Sequence, residues 1–345
     1  MASLYERLSS AQPYVIAEMS ANHAGNLQTA LKLVEAVAKS GADCLKVQTF
    51  TADTMTIDST KPYFKPQGKL WQDYSLYDLY QEAAMPWEWQ AEIKAKCESN
   101  GLDFLSTPFD CSAVDFLESI DVEMYKIASY ELVDLPLISY AASKGKPMIL
   151  SCGMSTLDEI NEAVETCIKQ GNSQIVLLKC CSQYPADYAN MNLKVIPDMR
   201  DRFGLPVGLS DHSIGSLASV VATTLGAVVI EKHVCLSREI PNPDAAFSME
   251  PAEFTSLVED VHNAYVALGD LDYTLSESEK KSRISRRSLF AIKDIKIGDV
   301  FNESNVRAIR PGQGLKPKYL GQVLGSVAKR NIERGEPLTQ ADLQG

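Results

Sequence analysis

From Tyr14 to about Gly269, short apolar runs alternate with amphipathic stretches of helical period, a pattern that predicts repeated strand-helix units. Eight units can be drawn. The expected strands are YVIAE from Tyr14, CLKVQ from Cys44, LDFLS from Leu102, MYKIA from Met124, PMILS from Pro147, QIVLLK from Gln174, PVGLS from Pro206 and VVIEKH from Val228. Helices fit between them: TALKLVEAVAKSG to Gly41, LDEINEAVETCIKQG to Gly171, and PAEFTSLVEDVHNAYVALG to Gly269. Each closes on a glycine, the residue that turns left-handed at a helix end without a steric penalty.

Eight strand-helix units close naturally into an α/β fold of the (β/α)8 TIM-barrel type, with the active site at the C-terminal ends of the strands. An open, doubly wound sheet is the competing architecture. Against it, no GxGxxG turn follows the first strand, and polar residues end nearly all the strands instead of gathering at one crevice. The irregular segment from Thr51 to Met85, with Pro62, Pro66, Trp71 and Tyr77, interrupts the second unit and reads as a functional insertion at the catalytic face. The catalytic domain is expected over 1–270. The polar stretch DLDYTLSESEKKSRIS from Asp270 then predicts a linker at 271–285, followed by a separate module at 286–345. In that module Ala291, Ile295, Gly298, Phe301 and Val306 recur as Ala328, Ile332, Gly335, Leu338 and Leu343, offset by 37 residues. The echo predicts a small pseudo-symmetric, β-rich unit.

A chain of 345 residues accommodates this division. The formal charge of −12, with no long basic run, makes nucleic acid and anionic membranes poor partners and favours a small-molecule ligand. The N-terminal residues MASLYERLSS lack an apolar signal core, and no later run approaches a membrane span, so a cytoplasmic location is expected. The eight cysteines form no CxxC pair and are expected to be buried, reduced thiols.

Polar residues at the strand ends carry the chemistry: Glu18, Lys46 with Gln48, Ser106 with Thr107, Lys126 with Ser129, Ser151, Ser182, Ser210 with His212, and Glu231 with His233. Residues two apart share a strand face, so Lys46 and Gln48 can both enter the barrel mouth, as can Glu231 and His233, while Lys232 should point away to helices or solvent. Of four histidines, His212 and His233 end adjacent strands and suit a divalent metal with open positions for water and substrate. Two nitrogens with oxygens favour manganese, iron, cobalt or magnesium over closed zinc. His262 is expected in a solvated helix position, and His23 either caps its loop or lines the site. Lys46, Thr107, Lys126, Ser129, Ser151 and Ser210 together can hold an anion carrying phosphate and carboxylate. The bland alternative is a set of lysines snorkelling from strand ends, and the sharper competitor is a Schiff-base aldolase acting through Lys126.

These residues lie in motifs that resemble the sialic acid synthase family along essentially the whole chain: AEMSANHAGN from Ala17, KVQTF from Lys46, STPFD from Ser106, YKIAS from Tyr125, ILSCGMS from Ile149, GLSDHS from Gly208 and EKHV from Glu231. The C-terminal part, with RPGQGL from Arg310, resembles that family's antifreeze-like (SAF) domain, a β-clip. The resemblance implies a metal-dependent condensation of phosphoenolpyruvate with an amino-sugar aldehyde. Manganese is the expected metal, with magnesium or cobalt as alternatives. GKLWQDYSLYDLYQEAAMPWEWQ from Gly68 and PDAAFSMEP from Pro243 resemble the branch that uses 2,4-diacetamido-2,4,6-trideoxy-L-altrose, rather than N-acetylmannosamine or the legionaminic acid precursor. By the same resemblance, Ser182 joins the phosphoenolpyruvate ligands and Glu231 orients the water held by the metal. Gln48 and Tyr184 would contact the sugar, Glu18 or Asp244 would handle a proton, and Arg310 would reach an acetamido group from the lid of a partner subunit in a lid-exchanged homodimer. One departure is CCSQYP from Cys180, where relatives commonly carry threonine in place of Cys181. A non-catalytic barrel with an ice- or carbohydrate-binding module is the remote alternative. Lys316, Lys318, Lys329, Arg330 and Arg334 in that module argue against a flat apolar ice face.

Overall fold

The eight apolar runs pair in chain order, all parallel, and the last closes on the first. They are β1 (Tyr14–Glu18), β2 (Cys44–Thr49), β3 (Asp103–Pro108), β4 (Tyr125–Ile127), β5 (Met148–Ser151), β6 (Ile175–Cys180), β7 (Val207–Asp211) and β8 (Val229–His233). The computed structural model describes residues 3–66 and 71–344. The closed order excludes the open sheet. Chain contacts divide it into two units, Met1–Gly269 and Asp270–Gly345.

Strand periodicity explains why the barrel is both packed and chemically active. Tyr14, Ile16, Cys44, Leu105, Met124, Ile149, Val176, Leu178 and Val229 form one buried cluster inside the barrel, closed by Leu8 of the short helix Leu4–Leu8. The intervening residues Val15, Ala17, Leu45, Val47, Leu150, Leu177 and Ile230 pack outward with helix residues such as Leu33, Val37 and Leu257. Two residues beyond the interior set come Glu18, Lys46, Thr107, Lys126, Ser151, Cys180 and Glu231, on the same face one layer nearer the mouth. At the interior position of β7 a glycine is required, since a Cβ on Gly208 would sit 2.3 Å from the Val229 carbonyl oxygen.

Helix signals behave as local physics dictates. The helix Leu27–Ser40 starts on Asn26, whose side chain accepts from the Thr29 amide, and ends on left-handed Gly41. The helix Leu157–Lys169 carries a Thr156/Glu159 capping box but stops short of Gly171, with Gln170 as its cap. The insertion is less irregular than its sequence suggests, since Ala52–Met55 and Leu76–Ala83 are helical. Its residues Gly68 to Leu70 lie outside those described. The expected linker also contains a helix, Glu277–Ser282, set by a Ser276/Glu279 capping box whose S-x-x-E signal is present in the sequence.

Lys232 does point out of the barrel, but not to solvent. Its ammonium is buried and donates to Asp211 Oδ2 at 2.8 Å and to the Ser213 carbonyl at 2.6 Å. Asp211 in turn accepts from the Ser213 amide and hydroxyl through Oδ1 and from Ser219 Oγ through Oδ2. Both side chains are buried, so removing one charge strands the other. Lys232→Met is expected to cost about 3–5 kcal/mol in urea unfolding, and a double change that also makes Asp211 apolar should recover much of it. A single variant within 1 kcal/mol of wild type (about fivefold in the folding equilibrium) would contradict the account.

In the second unit the sequence echo becomes a pseudo-twofold. Ile295 and Ile332 exchange two backbone hydrogen bonds of 2.8 Å, and the Gly298 amide to Ala328 carbonyl bond (2.9 Å) mirrors that from Gly335 to Ala291 (2.8 Å). β9 (Ser288–Ala291) pairs antiparallel with β10 (Val306–Ile309), as β11 (Val327–Ala328) does with β12 (Leu343–Gln344). Ala291, Ile295, Phe301, Val306, Ala328, Ile332, Leu338 and Leu343 form one core. Both glycines hold left-handed φ angles, +90° and +93°, which is why glycine recurs at that offset. Among the described residues no helix is long and apolar enough to cross a membrane.

Candidate active site

Strand register brings the expected residues together. Glu18 on β1 lies opposite Lys46 on β2 and His233 on β8, while Gln48 lies opposite Thr107 and Ser210 opposite Glu231. Lys46 Nζ is 2.7 Å from Glu18 Oε2 and 3.6 Å from Glu231 Oε1, and Lys126 Nζ donates to the same Glu231 oxygen at 2.9 Å. Thr107 Oγ1 accepts from Lys46 at 3.4 Å, and Ser210 Oγ donates to Glu231 Oε1 at 3.3 Å. Gln48 Nε2 bridges Glu18 Oε1 (2.8 Å) and Ser20 Oγ (2.9 Å). The two lysines are therefore fixed by carboxylates, not snorkelled to solvent.

This geometry drives the carboxyl groups apart. Burial raises Glu18 despite the Lys46 ammonium, and burial likewise raises Asp244. For Glu231, burial is outweighed by Lys126 and Lys46, which hold it well below the usual carboxylate range. One mouth thus contains carboxyls suited to carry a proton beside one suited to stay ionised. Lys126 is lowered by burial against the pull of Glu231.

A second group surrounds the end of β5. Ser129 Oγ accepts from the Gly153 amide at 3.0 Å, and a Cβ on Gly153 would lie 2.8 Å from Ser129 Oγ and 2.2 Å from Ser182 Oγ. The Ser151 hydroxyl is buried without a partner. Hydroxyls and an amide converging on a space that only glycine leaves open make a cradle for an anion's oxygens. The sequence reading missed Gly153, although its place two residues beyond Ser151 was a usable signal.

The rings of His212 and His233 have centroids 5.3 Å apart, close enough for one nitrogen of each to reach a single ion. His212 Nδ1 lies 3.1 Å from the Cys181 carbonyl oxygen, which assigns Nδ1 as donor and leaves Nε2 for a ligand. Any residue at 181 supplies that carbonyl, so cysteine there leaves the ring's support intact. His233 Nδ1 is buried without a hydrogen-bond partner, 3.9 Å from Asp244 Oδ2, and burial followed by nearby His212 and the lysines holds its pKa well below the usual imidazole range. Among the described residues no group of three or more His, Cys, Asp and Glu side chains is arranged for a metal. A two-histidine site completed by water and substrate oxygens fits these donors; an all-protein cage does not.

The Asp244 backbone is tied in by Ser248 Oγ, which donates to its carbonyl at 2.7 Å, and its Oδ2 lies 3.4 Å from the Ala21 amide. Tyr184 packs with its centroid 4.3 Å from that of His212. Arg310 is exposed directly after β10 in the second unit. Of the other two histidines, His23 takes the loop-capping alternative and His262 departs from expectation. His23 is buried and caps its own loop: Nδ1 accepts from the Gly25 amide at 3.0 Å and Nε2 donates to the Ala83 carbonyl at 3.2 Å. His262 is half-buried in the helix Pro251–Leu268 with Nε2 shielded, not solvated, because that helix packs against the barrel. All eight cysteines are free, and six are buried, with Cys111 exposed and Cys181 intermediate.

Residues 33–273 match the NeuB family and residues 286–344 the SAF domain. The chain is 43% identical over 331 residues to a pseudaminic acid synthase of Campylobacter jejuni, with 96% of each chain covered. It is 42% identical over 333 residues to a pseudaminic acid synthase of Helicobacter pylori, covering 96% of this chain and 98% of that one. Among solved structures, an N-acetylneuraminic acid (sialic acid) synthetase of Leptospira borgpetersenii in complex with citrate matches with a TM-score of 0.71 and 28% identity, covering 79% of this chain and 91% of that chain.

Proposed function

The chain belongs to the NeuB family, and on that premise we propose that it condenses phosphoenolpyruvate and water with 2,4-diacetamido-2,4,6-trideoxy-L-altrose to give pseudaminic acid and phosphate. The observation that carries the reading is one mouth holding two buried lysines, carboxyls of opposed pKa and a histidine pair, in a chain 43% identical to a pseudaminic acid synthase along nearly its whole length.

Residues 1–270 form the catalytic domain, 271–285 the connection and 286–345 the lid. Lys46 and Lys126, with Thr107, Ser129, Ser151, Ser182 and Ser210, hold the carboxylate and phosphate of phosphoenolpyruvate. His212 and His233 would hold a divalent metal, manganese first, with magnesium or cobalt as alternatives. When bound, it supplies Lewis-acid polarisation of the aldehyde. Carbon three gives its π pair to the aldehyde carbon, forming the C–C bond and leaving an oxocarbenium at C2. Glu18 and Asp244, both raised by burial, are the groups able to pass a proton to the aldehyde oxygen. Water adds at C2, oriented by ionised Glu231; one of its protons restores the acid that served the aldehyde oxygen, and the other goes to phosphate as the C2 carbonyl forms and the C2–O bond to phosphate breaks. Gln48 and Tyr184 contact the sugar. Arg310 of one subunit reaches an acetamido group in its partner's barrel within a homodimer. Eight free thiols suit the cytoplasm, where this enzyme would find reducing conditions.

The reading is tested by phosphate release with manganese, phosphoenolpyruvate and, separately, the altrose derivative, N-acetylmannosamine and the legionaminic acid precursor. Strong preference for the first is expected. Turnover of N-acetylmannosamine at a comparable rate would remove the pseudaminic assignment while leaving the family intact.

A further inference from the structure

The polar side of the mouth has a role in the proposed reaction, but the side beyond the histidines is aromatic. Phe247 is buried in the turn Ala245–Phe247 that follows Asp244, its ring centroid 5.0 Å from that of His233 and 5.2 Å from that of Tyr184. Trp71, half-buried in the insertion after β2, places its ring 5.8 Å from Tyr184, and its Nε1 donates to the Pro243 carbonyl at 3.1 Å. That hydrogen bond joins the insertion to the β8 loop one residue before Asp244. Trp71, Tyr184 and Phe247 are thus a continuous group of rings with Tyr184 at its centre, Tyr184 against His212 and Phe247 against His233.

From this juxtaposition we propose that Trp71 and Phe247, on either side of Tyr184, form an apolar wall that receives methyl groups of a deoxy amino-sugar aldehyde and thereby selects against a hydroxymethyl group at C6. The inference rests on the proposed reaction. The reacting aldehyde carbon lies beside the histidines, and phosphoenolpyruvate lies among the lysines and serines, so the remainder of the sugar extends along the rings. A 2,4-diacetamido-2,4,6-trideoxy sugar presents a methyl group at C6 where N-acetylmannosamine presents a hydroxymethyl, and an acetamido methyl at C4 where it presents a hydroxyl. Aromatic faces gain by covering methyl groups but offer no partner to a buried hydroxyl. The Trp71 hydrogen bond matters because it fixes the outer ring, so that the wall is present before the sugar arrives.

The test uses three full-length proteins: wild type, Trp71→Ala and Phe247→Leu. The probes are the altrose derivative and the same aldehyde carrying a hydroxyl at C6. Wild type should favour the 6-deoxy aldehyde in kcat/KM by about 10–100-fold, and each variant should bring the ratio to within about threefold, mainly by raising KM for the 6-deoxy aldehyde. KM for phosphoenolpyruvate should stay within about twofold in Trp71→Ala, a readout that a general loss of structure would move. If Phe247→Leu disturbs His233, the half-exposed Trp71 position still decides, since the Trp71 ring packs on Tyr184 and is hydrogen-bonded to the Pro243 carbonyl. Retention of the wild-type ratio in Trp71→Ala, or equal losses toward both substrates and phosphoenolpyruvate, overturns the wall. Wild-type enzyme that turns over the altrose derivative while the variants keep its selectivity removes only this inference. Wild-type enzyme that prefers the 6-hydroxy aldehyde removes the wall and the pseudaminic reading together.

Discussion

Replacing either His212 or His233 with alanine is expected to lower turnover at least about a thousandfold, equivalent to about 4 kcal/mol of transition-state stabilisation, while the fold survives. Each ring would hold the metal through one nitrogen, and two protein ligands leave no redundancy. The cost to folding should be small because the rings lie at the mouth, outside the apolar barrel interior. His233 Nδ1 has no hydrogen bond to lose, and His212 loses its Nδ1 contacts with the Cys181 carbonyl and the Cys180 thiol, together with its packing against Tyr184. The check pairs turnover with manganese binding followed by electron paramagnetic resonance and with a melting curve. Manganese affinity should fall in both variants, with Tm changing by a few degrees. Near-normal activity in either variant after chelation and manganese re-addition means that histidine is not a ligand.

Mixing two inactive variants, Lys126→Ala and Arg310→Ala, should restore activity if the lid works in trans. Lys126→Ala leaves Glu231 without its 2.9 Å partner and the phosphoenolpyruvate site without an ammonium, so its own barrel is dead. Arg310→Ala has an intact barrel but a defective lid. In a hybrid dimer the intact barrel would meet the intact lid of the other subunit, making one complete site of two. Random exchange makes about half the dimers hybrid, so activity should reach about one quarter of wild type. With lids acting in cis, every site carries one defect and no activity returns. A mixture that stays inactive after subunit exchange is verified, for example by mass spectrometry, excludes the trans arrangement.

Much of the barrel was legible because its signals are local. Apolar runs with helical stretches between them define the strands to within a residue or two, and the i, i+2 rule alone places Lys46 with Gln48 and Glu231 with His233 on the inner face. The 37-residue echo was visible for the same reason, since two similar halves need the same apolar and glycine positions. The helix Glu277–Ser282 was missed although its capping box is written in the sequence, because a polar surface helix has no apolar stripe to announce it.

What the chain alone determined, then, is which side chains reach the mouth, because side-chain direction along a strand follows from backbone geometry one residue at a time. Only tertiary structure decided what each of them does to its neighbours. That Glu231 is shared by Lys46 and Lys126 while Glu18 is raised by burial depends on strands far apart in sequence and on the solvent they exclude. The same holds for Lys232, whose outward direction was readable but whose buried partner Asp211 was not, and for Trp71, brought to Pro243 across 172 residues of chain. Periodicity is a property of one segment, whereas charge pairing, desolvation and ring packing are properties of segments that meet only when the barrel closes.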